Sequence, residues 1–384
     1  MRLYLPSGGS LDLIWGIRYV DNLGTLAIMN KNRRRWLGWG LGIAVLGLIL
    51  FQLSRSSQWK SFRWSRLWFL LTHLSLGLLI LAILVSCVTY LARAYRWKFF
   101  VEPLKRCSLW VLFKGQIFGF SSIYLVGRAG EIVRPAYIAK AEKLPFTSQL
   151  AVWVLERVYD SLALVVLFAC AVYFEPTPAA GSRSLRLLQE ARHAALIILA
   201  LSAFGVAVLV AYRLYSEPIL ARVERILACA PRKLRVRVSG FLRSFSSGLE
   251  VIQNLWDFSA SVLWTAVLWV LNVTVIWLSL HCLGGSLKAL SWWAAGLILV
   301  VSAVGLLIQL PGVGGGYQVA AMLALEEIFH APPAAAASAA IITWVTVMAP
   351  CLVIGIALLF GEGLGIKKLL STVEEQGQLV TPKA

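Results

Sequence analysis

Two short stretches of this chain hold the side chains most capable of chemistry. One reads Gly127-Arg128-Ala129-Gly130-Glu131-Ile132-Val133-Arg134-Pro135, the other Glu156-Arg157-Val158-Tyr159-Asp160 at the start of a long apolar run. Glu156 and Asp160 stand four residues apart and so share one face of a helix, with Arg157 flanking it. Arg128, Arg134 and Arg157 can pair with Glu131, Glu156 and Asp160. An arginine in such a set can also clamp a phosphate through two parallel N–H donors, with a neighbouring carboxylate tuning its charge. Gly127 and Gly130 would let helices and a headgroup approach closely. The pattern admits three functions: a polar cavity for a lipid headgroup, an anchor that pins a helix end to a membrane interface, and a proton relay through Glu and Asp.

A second glycine-rich stretch, Pro311-Gly312-Val313-Gly314-Gly315-Gly316-Tyr317-Gln318, carries no charge. It fits either close helix packing through small residues or a hairpin tip matching the first. The six cysteines (Cys87, Cys107, Cys170, Cys229, Cys282, Cys351) are far apart and form no CxxC, which suits small buried hydrophobes. The four histidines are scattered, with no HExxH, so neither a metal site nor any other cofactor is expected. No Walker-type phosphate loop is present, so direct nucleotide hydrolysis is not expected.

The elements that would position these groups follow from composition. The chain is 59% hydrophobic and 14% charged, with a mean hydropathy of +0.77 and a net charge of +18. A soluble domain is about 45–50% apolar, and its cations are not parcelled between long uncharged runs. A nucleic-acid partner is therefore not expected, and the 16 Trp suit an aromatic belt at the bilayer surface. Crossing the hydrocarbon takes about 20 apolar residues. Six stretches qualify: Leu37–Leu53, Leu67–Ala92, Gln149–Phe174, Ala194–Tyr212, Phe258–Leu283 and a last span within Ala331–Gly361. Residues 109–141 and 289–328 each read as helix, glycine-rich break, helix, and predict re-entrant hairpins. The expected fold is thus all-α and polytopic: about six full transmembrane helices plus two broken-helix hairpins.

Cations set the orientation. With the N-terminus inside, segments 31–35, 92–148, 213–257 and 362–384 carry 25 Lys and Arg against 8 in 54–66, 175–193 and 284–290. Both termini are expected in the cytoplasm. On that topology the two breaks precede spans of opposite direction, a weak inverted repeat of the kind transporters use. The expected organisation is a poorly ordered extension (1–30), a first membrane half (31–213), a basic amphipathic linker (214–257), a second membrane half (258–365) and a cytoplasmic tail (366–384). The linker's arginines either face anionic headgroups or simply obey the positive-inside rule.

Taken in order, Arg93-Ala94-Tyr95-Arg96-Trp97, Gly127-Arg128-Ala129-Gly130-Glu131 with Arg134-Pro135, Glu156-Arg157 with Asp160, and Pro311-Gly312-Val313-Gly314-Gly315 resemble one family over residues 35–365. It is the lysylphosphatidylglycerol synthase transmembrane region, or flippase-like domain family, which includes the N-terminal membrane half of the multiple peptide resistance factor. The chain departs from it at Val126, where the family often has Pro, and at Gln318, where it often has Glu. A coupling role for that carboxylate does not carry over. The family's best-studied members append a soluble aminoacyltransferase. Here only the tail follows the last span, so lysine transfer is not expected.

The resemblance implies a lipid flippase or transporter of the bacterial cytoplasmic membrane, moving an anionic lipid, and not an enzyme. Substrate-binding residues would be Arg128, Glu131, Arg134, Glu156, Arg157 and Asp160. Hairpin tips would be Gly127, Gly130, Pro311, Gly312, Gly314, Gly315, Gly316 and Gln318. Membrane lipids are the expected partners, together with a second copy of the chain or an envelope enzyme. The competing functions are a membrane-embedded glycosyltransferase acting on a lipid carrier and a non-transporting subunit of an envelope-lipid enzyme.

Overall fold

The computed structural model describes residues 64–175, 255–306, 309–310 and 314–361, with scattered positions between 190 and 226. The expected spans Leu37–Leu53 and Ala194–Tyr212, the 1–30 extension, most of the 214–257 linker and the 366–384 tail lie outside the described residues.

Apolar sequence in lipid must satisfy its own backbone, and the helix does so within one segment. The described elements are α1 (Trp64–Thr72), α2 (Leu76–Val101), α3 (Leu109–Val126), α4 (Val133–Glu142), α5 (Phe146–Phe174), α6 (Leu255–Leu283), α7 (Trp292–Gly305), α8 (Gly316–Leu323) and α9 (Pro333–Gly361). Four of these helices (α2, α5, α6 and α9) are long and apolar enough to cross a membrane. The protein is an all-α polytopic membrane protein. Its described strand pairing is a two-residue ladder, Gln309–Leu310 against Gly314–Gly315.

The expected span Leu67–Ala92 needs correcting at both ends. Near its start the helix stops at Thr72, whose Oγ1 donates back to the Trp68 carbonyl at 2.8 Å, and α2 begins afresh at Leu76. The Ser75 N–H then donates to the Cys282 carbonyl at 2.7 Å, tying the start of α2 to the end of α6. At the other end α2 runs past Ala92 to Val101. Arg93 and Arg96 are therefore helical and not part of a cytoplasmic loop. A helix can continue through them because their charges are met inside the protein.

Residues 109–141 do form a helical hairpin. The chain reverses through a 3-10 turn, Gly127–Ile132, and α4 returns along α3. Three glycines make the approach possible. A Cβ on Gly115 would lie 2.7 Å from Ile138 Cγ1, one on Gly119 would lie 2.6 Å from Arg134 Cβ, and one on Gly130 would strike the Ser122 backbone. The second hairpin, α7 and α8, closes the same way, a Cβ on Gly305 striking the Gly316 carbonyl. The two tips touch, with Gln309–Leu310 lying against the Gly127–Ile132 turn.

The halves share one plan. Gly119 and Gly130 are 11 residues apart, as are Gly305 and Gly316, and α5 and α9 each have 29 residues. α3 packs on α9 as α7 packs on α5, and α2 meets α9 as α6 meets α5. α2 and α6 are antiparallel: Ser75 meets Cys282 at one end, and the Tyr95 and Trp264 rings stack at 5.0 Å toward the other. These exchanges describe a pseudo-twofold axis lying across the helices, which makes the repeat inverted. Exposed Lys105, after α2, and exposed Lys288, after α6, must then sit on opposite membrane faces. Single cysteines placed there in a cysteine-free background should react with an impermeant maleimide from opposite sides. Labelling from one side would refute the inverted arrangement.

Native Cys107 lies in the α2–α3 connection. Burial, then the nearby Glu142 charge, pushes its thiol up to about 11. The described cysteines are all free thiols.

Candidate functional site

Glu156 is the centre of the site. It lies on α5, 10 residues or about 15 Å from the helix start, and its side chain is wholly buried. Its Oε1 accepts from Arg96 Nη2 at 2.6 Å and Arg134 Nη1 at 3.2 Å. Its Oε2 accepts from Arg157 Nη2 at 3.1 Å and from Arg134 Nη2. One turn on, Asp160 accepts from Arg96 Nη1 at 2.5 Å and pairs with Arg157 Nη2 at 3.1 Å. Two carboxylates on one helix face therefore hold three arginines from α2, α4 and α5.

The arginines are fixed by more than charge. Arg134 donates to Gln116 Oε1 on α3 at 2.7 Å, and its guanidinium lies 4.4 Å from the Trp97 ring. That ring is locked in turn by a 3.3 Å bond from its Nε1 to Gln149. Arg93 lies 4.8 Å over the Phe120 ring, and among the described residues it forms no ion pair. The set thus holds four arginines against Glu156 and Asp160. A charge-anchoring residue snorkels with its head in water, but the Arg96 and Glu156 side chains are both 0% exposed. The interface-anchor reading does not fit that burial.

A cavity of about 20 Å³ adjoins the cluster, lined by Gly119, Phe120, Ile123, Glu131, Arg134 and Arg157. It has room for about one water and none for a headgroup. Among the described residues the space beside the cluster is this small, because Arg134 of α4 and Gly130 of the turn are packed onto α3. Two buried donors near the carboxylates, Arg96 Nε and Arg157 Nε, have no partner.

Of the residues expected in the site, Arg134, Glu156, Arg157 and Asp160 meet in one network, and Glu131 faces Arg134 and Arg157 across the small cavity. Gly127 and Gly130 lie in the turn with Arg128, whose side chain is outside the described residues. Gly314 and Gly315 form the short strand, while Gly316 opens α8 with Gln318 in its first turn. Pro311 and Gly312 are outside the described residues. The expected pairing of Glu156 and Asp160 with Arg128, Arg134 and Arg157 omitted Arg96, which binds both carboxylates. Its signal was present: Arg96 lies on the helical stripe of Ser86 and Thr89, both buried.

The stretch that delivers Arg93, Arg96 and Trp97, the glycine turn and the Glu156–Asp160 face fall in one span of sequence. The family described as the lysylphosphatidylglycerol synthase TM region matches residues 36–355. The chain belongs to this family. No curated protein matches it. As a member of the lysylphosphatidylglycerol synthase TM-region family it is a multi-pass membrane protein tied to lipid handling. Both hairpins and the whole arginine–carboxylate network lie inside the matched region. The described residues contain no group of His, Cys, Asp or Glu able to hold a metal.

Proposed function

We propose that the protein moves a lipid with an anionic headgroup between the leaflets of the bacterial cytoplasmic membrane, acting as a carrier and not as an enzyme. The observation that carries this reading is a surplus of arginine: Arg96 and Arg134, both buried, and the partly exposed Arg93 and Arg157 gather round Glu156, Asp160 and Glu131, with unpartnered donors on Arg96 and Arg157. Four cations against three carboxylates leave one positive charge over. The excess is costly in a bilayer and is relieved by an anion. A phosphate matches the guanidinium fork in charge and geometry.

Arg134 and Arg157 would hold the headgroup, with Glu131 across the cavity limiting their pull. The acyl tails stay in lipid, so only the headgroup needs a polar route. That suits a chain with so few charges. The α3–α4 hairpin is the moving part, since its glycine contacts and its turn close the cavity. The termini would lie in the cytoplasm, and the arginines of the 214–257 linker would concentrate anionic lipid at that face.

Purified protein in proteoliposomes should accelerate the flipping of fluorescent phosphatidylglycerol or a polyprenyl-phosphate analogue, with little effect on a zwitterionic analogue. No acceleration for any anionic lipid, under either membrane polarity, would overturn the carrier reading in favour of a non-transporting subunit.

A further inference from the structure

The interval from Gly119 to Gly305 is 186 residues, and it superposes one hairpin on the other in sequence. The contacts agree: a Cβ on Gly119 would meet Arg134, and a Cβ on Gly305 would meet Ala320, 15 residues on in each case. The same shift carries Gln116 onto Ser302, Glu131 onto Tyr317, Glu156 onto Ile342, Arg157 onto Thr343 and Asp160 onto Thr346. No carboxylate or guanidinium of the first cluster has a charged counterpart in the second half.

One cross-helix hydrogen bond is present where the charge is gone. Tyr317 is buried at the start of α8, as Glu131 precedes α4, and Ser302 and Thr343 hold the α7 and α9 positions that Gln116 and Arg157 hold on α3 and α5. Ser279 Oγ lies 2.9 Å from Thr346 Oγ1. The same shift places Ser279 at Arg93 and Cys282 at Arg96. All five hydroxyl residues are buried, none more than 8% exposed. Ser279, Ser302, Thr343 and Thr346 also donate to carbonyls of their own helices. Those bonds would satisfy each of the four hydroxyls alone, so the Ser279–Thr346 bridge is not needed to offset burial. Each hydroxyl proton can rotate from a carbonyl to a ligand.

We propose that Ser279, Ser302, Tyr317, Thr343 and Thr346 form a second, uncharged station for the same phosphate headgroup, used when the α7–α8 hairpin opens toward the other leaflet. This rests on the carrier reading above. The stations sit in opposite halves of an inverted fold whose hairpin tips touch. A neutral hydrogen bond is about half as strong as a charge-assisted one, so the hydroxyl station holds the phosphate weakly and lets it go. The arginine cluster is the capture side and the hydroxyl cluster the release side.

The test uses full-length protein in proteoliposomes with fluorescent phosphatidylglycerol, and lipid binding in detergent by native mass spectrometry. The double variant Thr343→Val/Thr346→Val should translocate at least about tenfold more slowly, the loss of one to two neutral hydrogen bonds, while binding phosphatidylglycerol as the wild type does. Thr343→Ser/Thr346→Ser should restore the rate. Tyr317→Phe, which alters one hydroxyl group only, should slow translocation in the same way and serves where the double variant does not fold. Wild-type rates in both Val and Phe variants would overturn the second station, as would a Ser variant as slow as the Val one. A wild-type protein that flips no lipid overturns the carrier reading itself, a separate outcome.

Discussion

Glu156→Ala should leave a protein that hardly accumulates in the membrane. The substitution strands Arg96, Arg134 and Arg157 around the buried position of Glu156. Removing one partner from a buried ion pair typically costs about 3–5 kcal/mol, and here one carboxylate serves three cations. That is a large part of the roughly 5–15 kcal/mol that holds a domain folded. Glu156→Gln should fare little better, since the amide keeps the shape but supplies one acceptor oxygen for four donors. Membrane yield and thermal unfolding in detergent read the effect. Arg106→Ala is the control: its side chain is 92% exposed and its Glu102 partner is 3.6 Å away, so no measurable change is expected. Equal tolerance of Glu156→Ala and Arg106→Ala would show that the network does not hold the fold.

Arg157→Gln should separate transport from folding. The Arg157 side chain is 41% exposed, against 6% for Arg134 and 0% for Arg96. Its loss leaves Glu156 still bonded to two arginines and Asp160 to one, so yield and unfolding temperature should stay near wild type. Phosphate capture loses a charge-assisted hydrogen bond worth about 1.5–3 kcal/mol, and each 1.4 kcal/mol is a factor of about ten. Translocation of an anionic lipid should therefore fall about ten- to a hundredfold. Arg157→Lys should recover only part of the loss, because an ammonium restores the charge but not the planar fork. Wild-type flipping by Arg157→Gln, with the protein folded, would remove Arg157 from the headgroup site.

The Arg157→Gln and Thr343→Val/Thr346→Val variants read different halves. The first should weaken lipid binding and translocation together. The second should slow translocation with binding unchanged. A carrier with one station would show the same pattern for both.

The sequence by itself determined the membrane class, because a run of about 20 apolar residues has one stable solution in lipid. It located α5, α6 and α9 to within a few residues and both hairpins by their glycines. It also marked Arg134, Glu156, Arg157 and Asp160, since charge inside an apolar run is conspicuous and the four-residue spacing places both carboxylates on one face. Tertiary structure decided the rest. Arg96 is far from Glu156 in sequence and looked like a flanking loop cation; only the packing of α2 against α5 makes it the partner of both carboxylates. The break at Thr72 was hidden because apolar residues continue through it, while the Ser75–Cys282 backbone bond that fixes it spans the two halves. The second cluster was hardest to see. Hydroxyls in apolar helices satisfy themselves on their own carbonyls and leave no mark in composition. Only the superposed hairpins show that Thr343 and Thr346 stand where Arg157 and Asp160 stand in the other half.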